Sequence, residues 1–223
     1  FYDLNAKLSY KPTRDDLITL SFYSGEDNLV ETSDTRRSQY PNFGDIDEIE
    51  IRGDLDRISR WGNNGYSLKW SKQWNPKFFN NINISYSEYY NYQDDSYFVN
   101  AIIPELDSTI FDFSVILDQD NKVEDFTARY DAELLSGKNN KLEFGLEFTK
   151  SDIHYLFVRD DTISIIDNTQ LSDLYSAYVS YNLTSVKNLN LKLGLRASRY
   201  ELTKKNYFVP RFQLDYEFVK NVK

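Results

Sequence analysis

The sequence predicts an all-β chain: an up-and-down antiparallel transmembrane β-barrel, with about nine strands present of a larger ring. Three observations carry this reading. Apolar and polar residues alternate with period two along most of the 223 residues, the signature of strands with one apolar and one polar face. Tyr and Phe number 18 and 15, beside three Trp, eight Gly and five Pro, a composition rich in strand formers and poor in breakers. Short and long connections also alternate along the chain, as in a sheet with tight turns on one side and long loops on the other.

The strands follow in order. Tyr2, Leu4, Ala6, Leu8 and Tyr10 form the first apolar row, against Asp3, Asn5, Lys7 and Ser9. Ile18-Leu20-Phe22, Tyr66-Leu68-Trp70-Lys72-Trp74, Ile82-Ile84-Tyr86 and Phe126-Ala128-Tyr130-Ala132-Leu134 continue the pattern. Leu142-Phe144-Leu146-Phe148, Tyr175-Ala177-Val179-Tyr181-Leu183, Leu189-Leu191-Leu193-Leu195-Ala197 and Phe212-Leu214-Tyr216-Phe218 complete it. Most of these strands would run about 9–12 residues, longer than the usual five or six and close to what a tilted strand needs to cross a bilayer. A mean hydropathy of −0.61, with no apolar run near the roughly 18–20 residues of a spanning helix, excludes a helical membrane protein and leaves a barrel open.

The connections sort by charge as well as by length. The short ones, Pro12–Asp16, Asn75–Asn80, Ser136–Lys141 and Thr184–Asn188, hold turn residues such as Asn75-Pro76 and Gly137-Lys138-Asn139-Asn140. The long ones are Gly25–Asn63, Gln93–Lys122 and Lys150–Asp173, with a brief fourth at Glu201–Asn206. Gly25–Asn63 has ten Asp and Glu against five Arg, and Gln93–Lys122 seven against one Lys. One side of the sheet is therefore acidic.

These patterns assign faces. Leu20, Tyr86, Tyr130, Leu146, Val179, Leu193 and Leu214 sit in the middle of apolar rows and are expected to face lipid. Tyr2 and Tyr10, Tyr66 and Trp74, and Tyr175 and Tyr181 bracket such rows, as aromatic girdles at two membrane interfaces do. Lys72 and Glu88 interrupt the apolar rows, but both fall near strand ends, where Lys72 can snorkel beside Trp74 and the penalty for a charge drops to about 0–1 kcal/mol. On the other face, a hairpin centred on Lys138 sets Arg129 opposite Glu147 as a lumen pair. It also sets Glu133 opposite Glu143, which requires water, a cation from a neighbouring strand, or a different register. The long loops are expected to lie outside the cell. Their apolar runs, Tyr97-Phe98-Val99 with Ala101-Ile102-Ile103, would fold over the barrel mouth or meet a partner, which makes Tyr97, Phe98, Ile102 and Ile103 a candidate recognition loop.

Composition also excludes chemistries. With no Cys there are no disulfides, zinc-thiolate sites or cysteine nucleophiles, and His154 is the only His. A His-rich metal site is therefore impossible, and His154, in Ser151-Asp152-Ile153-His154-Tyr155, reads as a rim residue rather than a catalytic base. Asp45-Ile46-Asp47-Glu48-Ile49-Glu50 and Asp118-Gln119-Asp120 lack the ligand spacing and central Gly of a Ca²⁺ loop. No phosphate loop or dinucleotide fingerprint is present. The formal charge of −9 argues against nucleic acid as a partner. No enzyme activity and no cofactor are expected. The chain begins at Phe1, contains no Met and has an odd number of predicted strands, so strands are expected to be missing at one or both ends.

Two segments resemble hairpins of TonB-dependent outer-membrane receptors. One is Phe1-Tyr2-Asp3-Leu4-Asn5-Ala6-Lys7-Leu8-Ser9-Tyr10-Lys11-Pro12 with Asp16-Leu17-Ile18-Thr19-Leu20-Ser21-Phe22-Tyr23-Ser24-Gly25-Glu26-Asp27; the other is Leu193-Gly194-Leu195-Arg196 with Pro210-Arg211-Phe212-Gln213-Leu214-Asp215-Tyr216. The resemblance implies a barrel of about 22 strands in the outer membrane of a Gram-negative bacterium. It further implies a plug domain, uptake of a large or scarce nutrient and energy from the TonB machinery. Residues 1–223 would be part of that barrel domain, without the plug and signal peptide. Lipid and lipopolysaccharide, TonB through a plug outside this sequence, and a surface lipoprotein or other protein cap are the partners in view. Two alternatives stay open: a barrel with a structural or secretion-associated role, and a soluble ligand-binding β-domain.

Overall fold

The computed structural model describes residues 1–39, 48–106, 108–137, 140–184 and 188–216. Nine strands follow one another in chain order: β1 (Tyr2–Tyr10), β2 (Asp16–Gln39), β3 (Ile49–Asn75), β4 (Phe78–Ile103), β5 (Ser108–Ser136), β6 (Asn140–Arg159), β7 (Ile163–Leu183), β8 (Leu189–Tyr200) and β9 (Lys205–Tyr216). Each pairs antiparallel with the next in a single up-and-down sheet ordered β1 to β9. The sheet is not closed: among the described residues β1 and β9 do not pair with each other.

The acidic connections are not the loops that the sequence suggests. β2 to β5 run for 24, 27, 26 and 29 residues, so most of Gly25–Asn63, Gln93–Lys122 and Lys150–Asp173 is strand. The reason is cooperative: once Tyr66 is in register with Phe22 and Tyr86, every further residue adds a ladder hydrogen bond at little extra entropic cost. Pro104 lies just beyond the end of β4, and the ladders of these segments shift register only at Ala101/Ile102 and Phe157/Val158 among the described residues. Tyr97, Phe98, Ile102 and Ile103 accordingly continue β4 as extended strand and do not fold back over a mouth. A 3₁₀ turn at Pro104–Leu106 caps that hairpin. β6 turns into β7 at Asp160 and Asp161, both left-handed with φ 51° and 57°, a conformation that Asp tolerates better than most residues.

Register places the predicted rows side by side. Leu8 pairs with Leu20, Leu20 with Leu68, Leu68 with Ile84 and Ile84 with Ala128. Tyr130 pairs with Leu146, Phe144 with Val179, Tyr181 with Leu193 and Leu191 with Leu214. One apolar face thus runs unbroken from β1 to β9. It has no covering layer. Among the described residues only Ile103 and Ala132 are buried apolar side chains, while Leu20, Leu146 and Leu214 are 53%, 60% and 53% exposed. A sheet that leaves such rows bare requires an apolar surrounding.

Candidate functional site

The apolar face carries all of the residues expected at lipid or at its interfaces. Val179 and Leu193 are exposed, as are Tyr2, Tyr10, Tyr66, Trp74 and Tyr175, while Tyr86, Tyr130 and Tyr181 are half-buried. The two charged intruders are neutralised locally. Lys72 Nζ lies 3.0 Å from Asp16 and 4.8 Å from the Trp74 ring centroid, a cation–π contact beside the turn. Glu88 faces Glu124 across the ladder, and Lys122 bridges the two at 3.1 and 3.2 Å.

The opposite face is a polar network. Arg129 lies directly opposite Glu147, 3.4 Å away, but its shorter contact is to Asp131 on its own strand at 2.8 Å. Glu147 in turn accepts from Arg196 at 2.6 Å, two strands away. Glu133 does oppose Glu143; Lys141 contacts both, and Lys192 of β8 sits 3.3 Å from Glu143. Of the three possibilities open for that pair, cations provide the answer: Lys141 comes from β6, next to the strand of Glu133, and Lys192 from β8, two strands from Glu143. Sequence reasoning missed Asp131, Arg196 and Tyr178. The Tyr178 hydroxyl donates to Asp131 at 2.6 Å across the whole width of β6, which is possible only because Gly145 lies between. A Cβ on Gly145 would come within 2.5 Å of the Tyr178 ring and 2.6 Å of the Tyr130 carbonyl oxygen. The signal was an isolated Gly in a strand pattern, which marks close approach of another group.

Above the row Asn64-Glu88-Glu124-Asp152 the strands continue as a wall in which the faces change character. Ile103 lies 15 residues beyond Glu88 on β4, so the wall extends roughly 50 Å along the strand at about 3.3 Å per residue. The face continuous with the apolar rows becomes charged, with Asp56, Asp94, Asp118 and Asp120. The face continuous with the polar network gains Trp61, Leu55, Tyr97, Val99, Val115 and Phe113. At its centre Arg57 holds Asp95 through two hydrogen bonds of 2.7 and 3.2 Å, with Glu31 3.6 Å from the same guanidinium. Burial pushes the Asp95 carboxyl up, and hydrogen bonds from Arg57 and Gln93 outweigh it, so the group sits below its ordinary value. The bond to Asp95 in turn raises Arg57. On the charged face, burial and then Asp94, directly opposite, raise Asp118.

Other candidates resolve simply. His154 Nε2 lies 3.4 Å from Asp167 and has no Ser hydroxyl bonded to it, so among the described residues no triad forms. Asp45 and Asp47 fall outside the described residues. No group of three or more acidic, His or Cys side chains among the described residues is arranged to hold a metal ion.

No protein-family model and no curated protein matches the chain. Solved structures do. The outer membrane transporter YddB from Escherichia coli is 10% identical, with 92% of this chain and 37% of that chain covered and a TM-score of 0.40. A G324V mutant of the ferric enterobactin receptor PfeA from Pseudomonas aeruginosa is 10% identical over 98% and 42%, with a TM-score of 0.39. The siderophore receptor PirA from Acinetobacter baumannii is 11% identical over 97% and 41%, also at 0.39. These structures are TonB-dependent outer-membrane receptors, and the chain spans about two fifths of their length.

Proposed function

We propose that this chain forms part of the wall of a TonB-dependent outer-membrane transport barrel that takes up a large or scarce nutrient. The observation that carries the reading is the two-sided sheet. Its apolar rows are aromatic at their margins, bare of any covering layer and continuous over nine strands, while its other face is filled with matched ion pairs. That is the division of labour of a barrel wall between lipid and a polar interior. In this reading Leu20, Tyr86, Tyr130, Leu146, Val179, Leu193 and Leu214 face lipid, Arg129 and Glu147 face the interior, and further strands beside β1 and β9 close the ring around a plug. The acidic wall stands outside the cell. Uptake depends on the partner chemistry of that plug and on TonB; the chain itself performs no catalysis.

Cysteine labelling in intact cells tests the topology. Single Cys residues at Leu20, Leu146 and Leu193 should resist a water-soluble maleimide and accept a lipid-phase probe, whereas Cys at Asp56 or Asp120 should label from outside. Free aqueous labelling at all five positions would refute the membrane assignment. Deleting the gene and finding unchanged growth on every limiting nutrient tried, with the labelling pattern intact, would leave the barrel but remove the importer.

A further inference from the structure

We infer that the interior-facing side of the extracellular wall, across β3 to β6, is a binding surface for a neutral oligosaccharide. The inference rests on the barrel reading above, which makes this side the approach to the interior. Between the ion-paired lumen and the apolar tip lies a belt of carboxamides, Asn63, Asn91, Gln119 and Asn121. None of the four makes a side-chain hydrogen bond among the described residues, whereas Gln93 beside them is used by Asp95. Asn91 and Asn121 are direct cross-strand partners, as are Gln93 and Gln119. Rings frame the belt: Trp61 pairs with Asn91, Tyr155 with Asn121, Phe157 with Gln119 and Tyr89 with Asn63.

Charge complementarity narrows the ligand. The ionised groups of this belt are already spent on one another, Arg57 on Asp95 and Arg159 on Asp160 at 3.5 Å. An anion finds no free cation there, and the acidic opposite face repels it. The carboxylates at its margins, Asp27 opposite Trp61 and Asp125 bonded to the Ser151 hydroxyl, accept from sugar hydroxyls as well as from a cation, and a salt-insensitive affinity separates the two. What remains are groups that both donate and accept, next to flat apolar rings. A hydroxyl likewise donates and accepts, which carboxamides match and which neither a guanidinium nor a carboxylate matches on both counts. The C–H face of a pyranose stacks on an aromatic ring, burying apolar area while its hydroxyls stay at the edge. Trp61 and Tyr155 lie in one row three strand spacings apart, roughly 14 Å, so the surface takes a run of sugar rings rather than a single one.

The test uses the full-length barrel protein purified in detergent, with its assembly checked by heat-dependent gel mobility. Maltohexaose, cellohexaose, mannohexaose and xylohexaose are titrated calorimetrically, beside hexagalacturonate and an uncharged decapeptide. At least one neutral hexasaccharide should bind, with an affinity insensitive to salt and at least tenfold weaker in Trp61→Ala/Asn121→Ala. If that variant does not assemble, the near-isosteric Asn121→Leu, which keeps the strand and removes the carboxamide, should show the same loss. Binding of hexagalacturonate or the decapeptide in preference to all four neutral sugars would overturn the inference. So would no binding at all by an assembled barrel, or binding unchanged in the variants. A protein that fails to assemble as a barrel overturns the reading beneath it instead, so the two failures are distinguishable.

Discussion

Replacing Leu146 with Arg separates a membrane wall from a water-soluble sheet by the size of the loss. Leu146 is 60% exposed and lies mid-row on β6, paired with Tyr130 and Ala177. The nearest charged position on its own strand and face is Lys150, four residues or roughly 13 Å away, and the turn at Asn140 is six residues or roughly 20 Å away. Neither margin is within reach of one guanidinium, so the charge stays near the bilayer midplane at a cost of about 2–4 kcal/mol. At about 1.4 kcal/mol per decade this is a loss of roughly 30- to 900-fold in the folding equilibrium. In water, an Arg at so exposed a site would change stability by about 0.5 kcal/mol or less. Ile58→Arg is the control: it lies on the same face of the sheet but in the wall, 42% exposed and opposite Val30 and Asp94. It should be near neutral. The assay is urea-dependent folding of the full-length protein into phospholipid vesicles, followed by gel mobility. If Leu146→Arg proves as harmless as Ile58→Arg, the depth argument fails and with it the lipid assignment of the row.

Three further outcomes follow from side-chain geometry. Gly145→Ala should destabilise folding by about 1–3 kcal/mol through overpacking, and adding Tyr178→Ala should recover only part of this, because the clash with the Tyr130 carbonyl remains; the same urea titration reads both. Arg57→Ala should lower the stability of the wall more than Arg57→Ala/Asp95→Ala does, since the single variant strands a buried carboxylate. Asp95 is held below its ordinary 3.8, so its contribution is present above that value and lost as pH falls through the lowered one. Hydrogen-exchange protection factors of β3 and β4, corrected for the intrinsic pH dependence of exchange, should therefore be steady from pH 7 to pH 5 in the native protein. Lys141→Ala should leave Glu133 and Glu143 facing each other with only Lys192 nearby, a loss that added salt should partly restore; no salt dependence would count against the pairing.

The sequence was legible where one face contrasts with the other. The row Leu142-Phe144-Leu146-Phe148 alternates with Glu143, Gly145 and Glu147, so both strand and face could be read, and a turn at position 138 set the pairing of Arg129 with Glu147. The same logic failed in the wall for a physical reason. Over Asp27–Gln39 both faces of β2 are exposed and, apart from Leu29 and Val30 on opposite faces, polar, so period two loses its contrast and the segment reads as loop although it is paired throughout. The Tyr178 to Asp131 bond was hidden because it skips a strand, and no periodicity within one strand reports what lies two strands away. The amide belt was hidden similarly: Asn91 and Asn121 are 30 positions apart in the sequence and become neighbours only once β4 and β5 are known to pair far beyond the apolar rows.

The register explains why the change of character along the wall locates a boundary. The ladder between β2 and β3 runs from Asp16 opposite Lys72 to Gln39 opposite Ile49 with no irregularity. The shifts elsewhere fall at strand ends, at Gln73/Asn75, Ala101/Ile102 and Phe157/Val158. A bulge between membrane and wall would have turned every later side chain to the other face; none is present there. The inversion is therefore written in the residues and not in the backbone. It is sharpest in β5, where Phe126, Ala128, Tyr130 and Ala132 are apolar on one face, and Phe113, Val115 and Leu117 are apolar on the other. A sheet covering a single core keeps its apolar residues on one side from end to end. Two sides in one uninterrupted strand require two surroundings, and the charged row through Glu88, Lys122 and Glu124 stands where one gives way to the other.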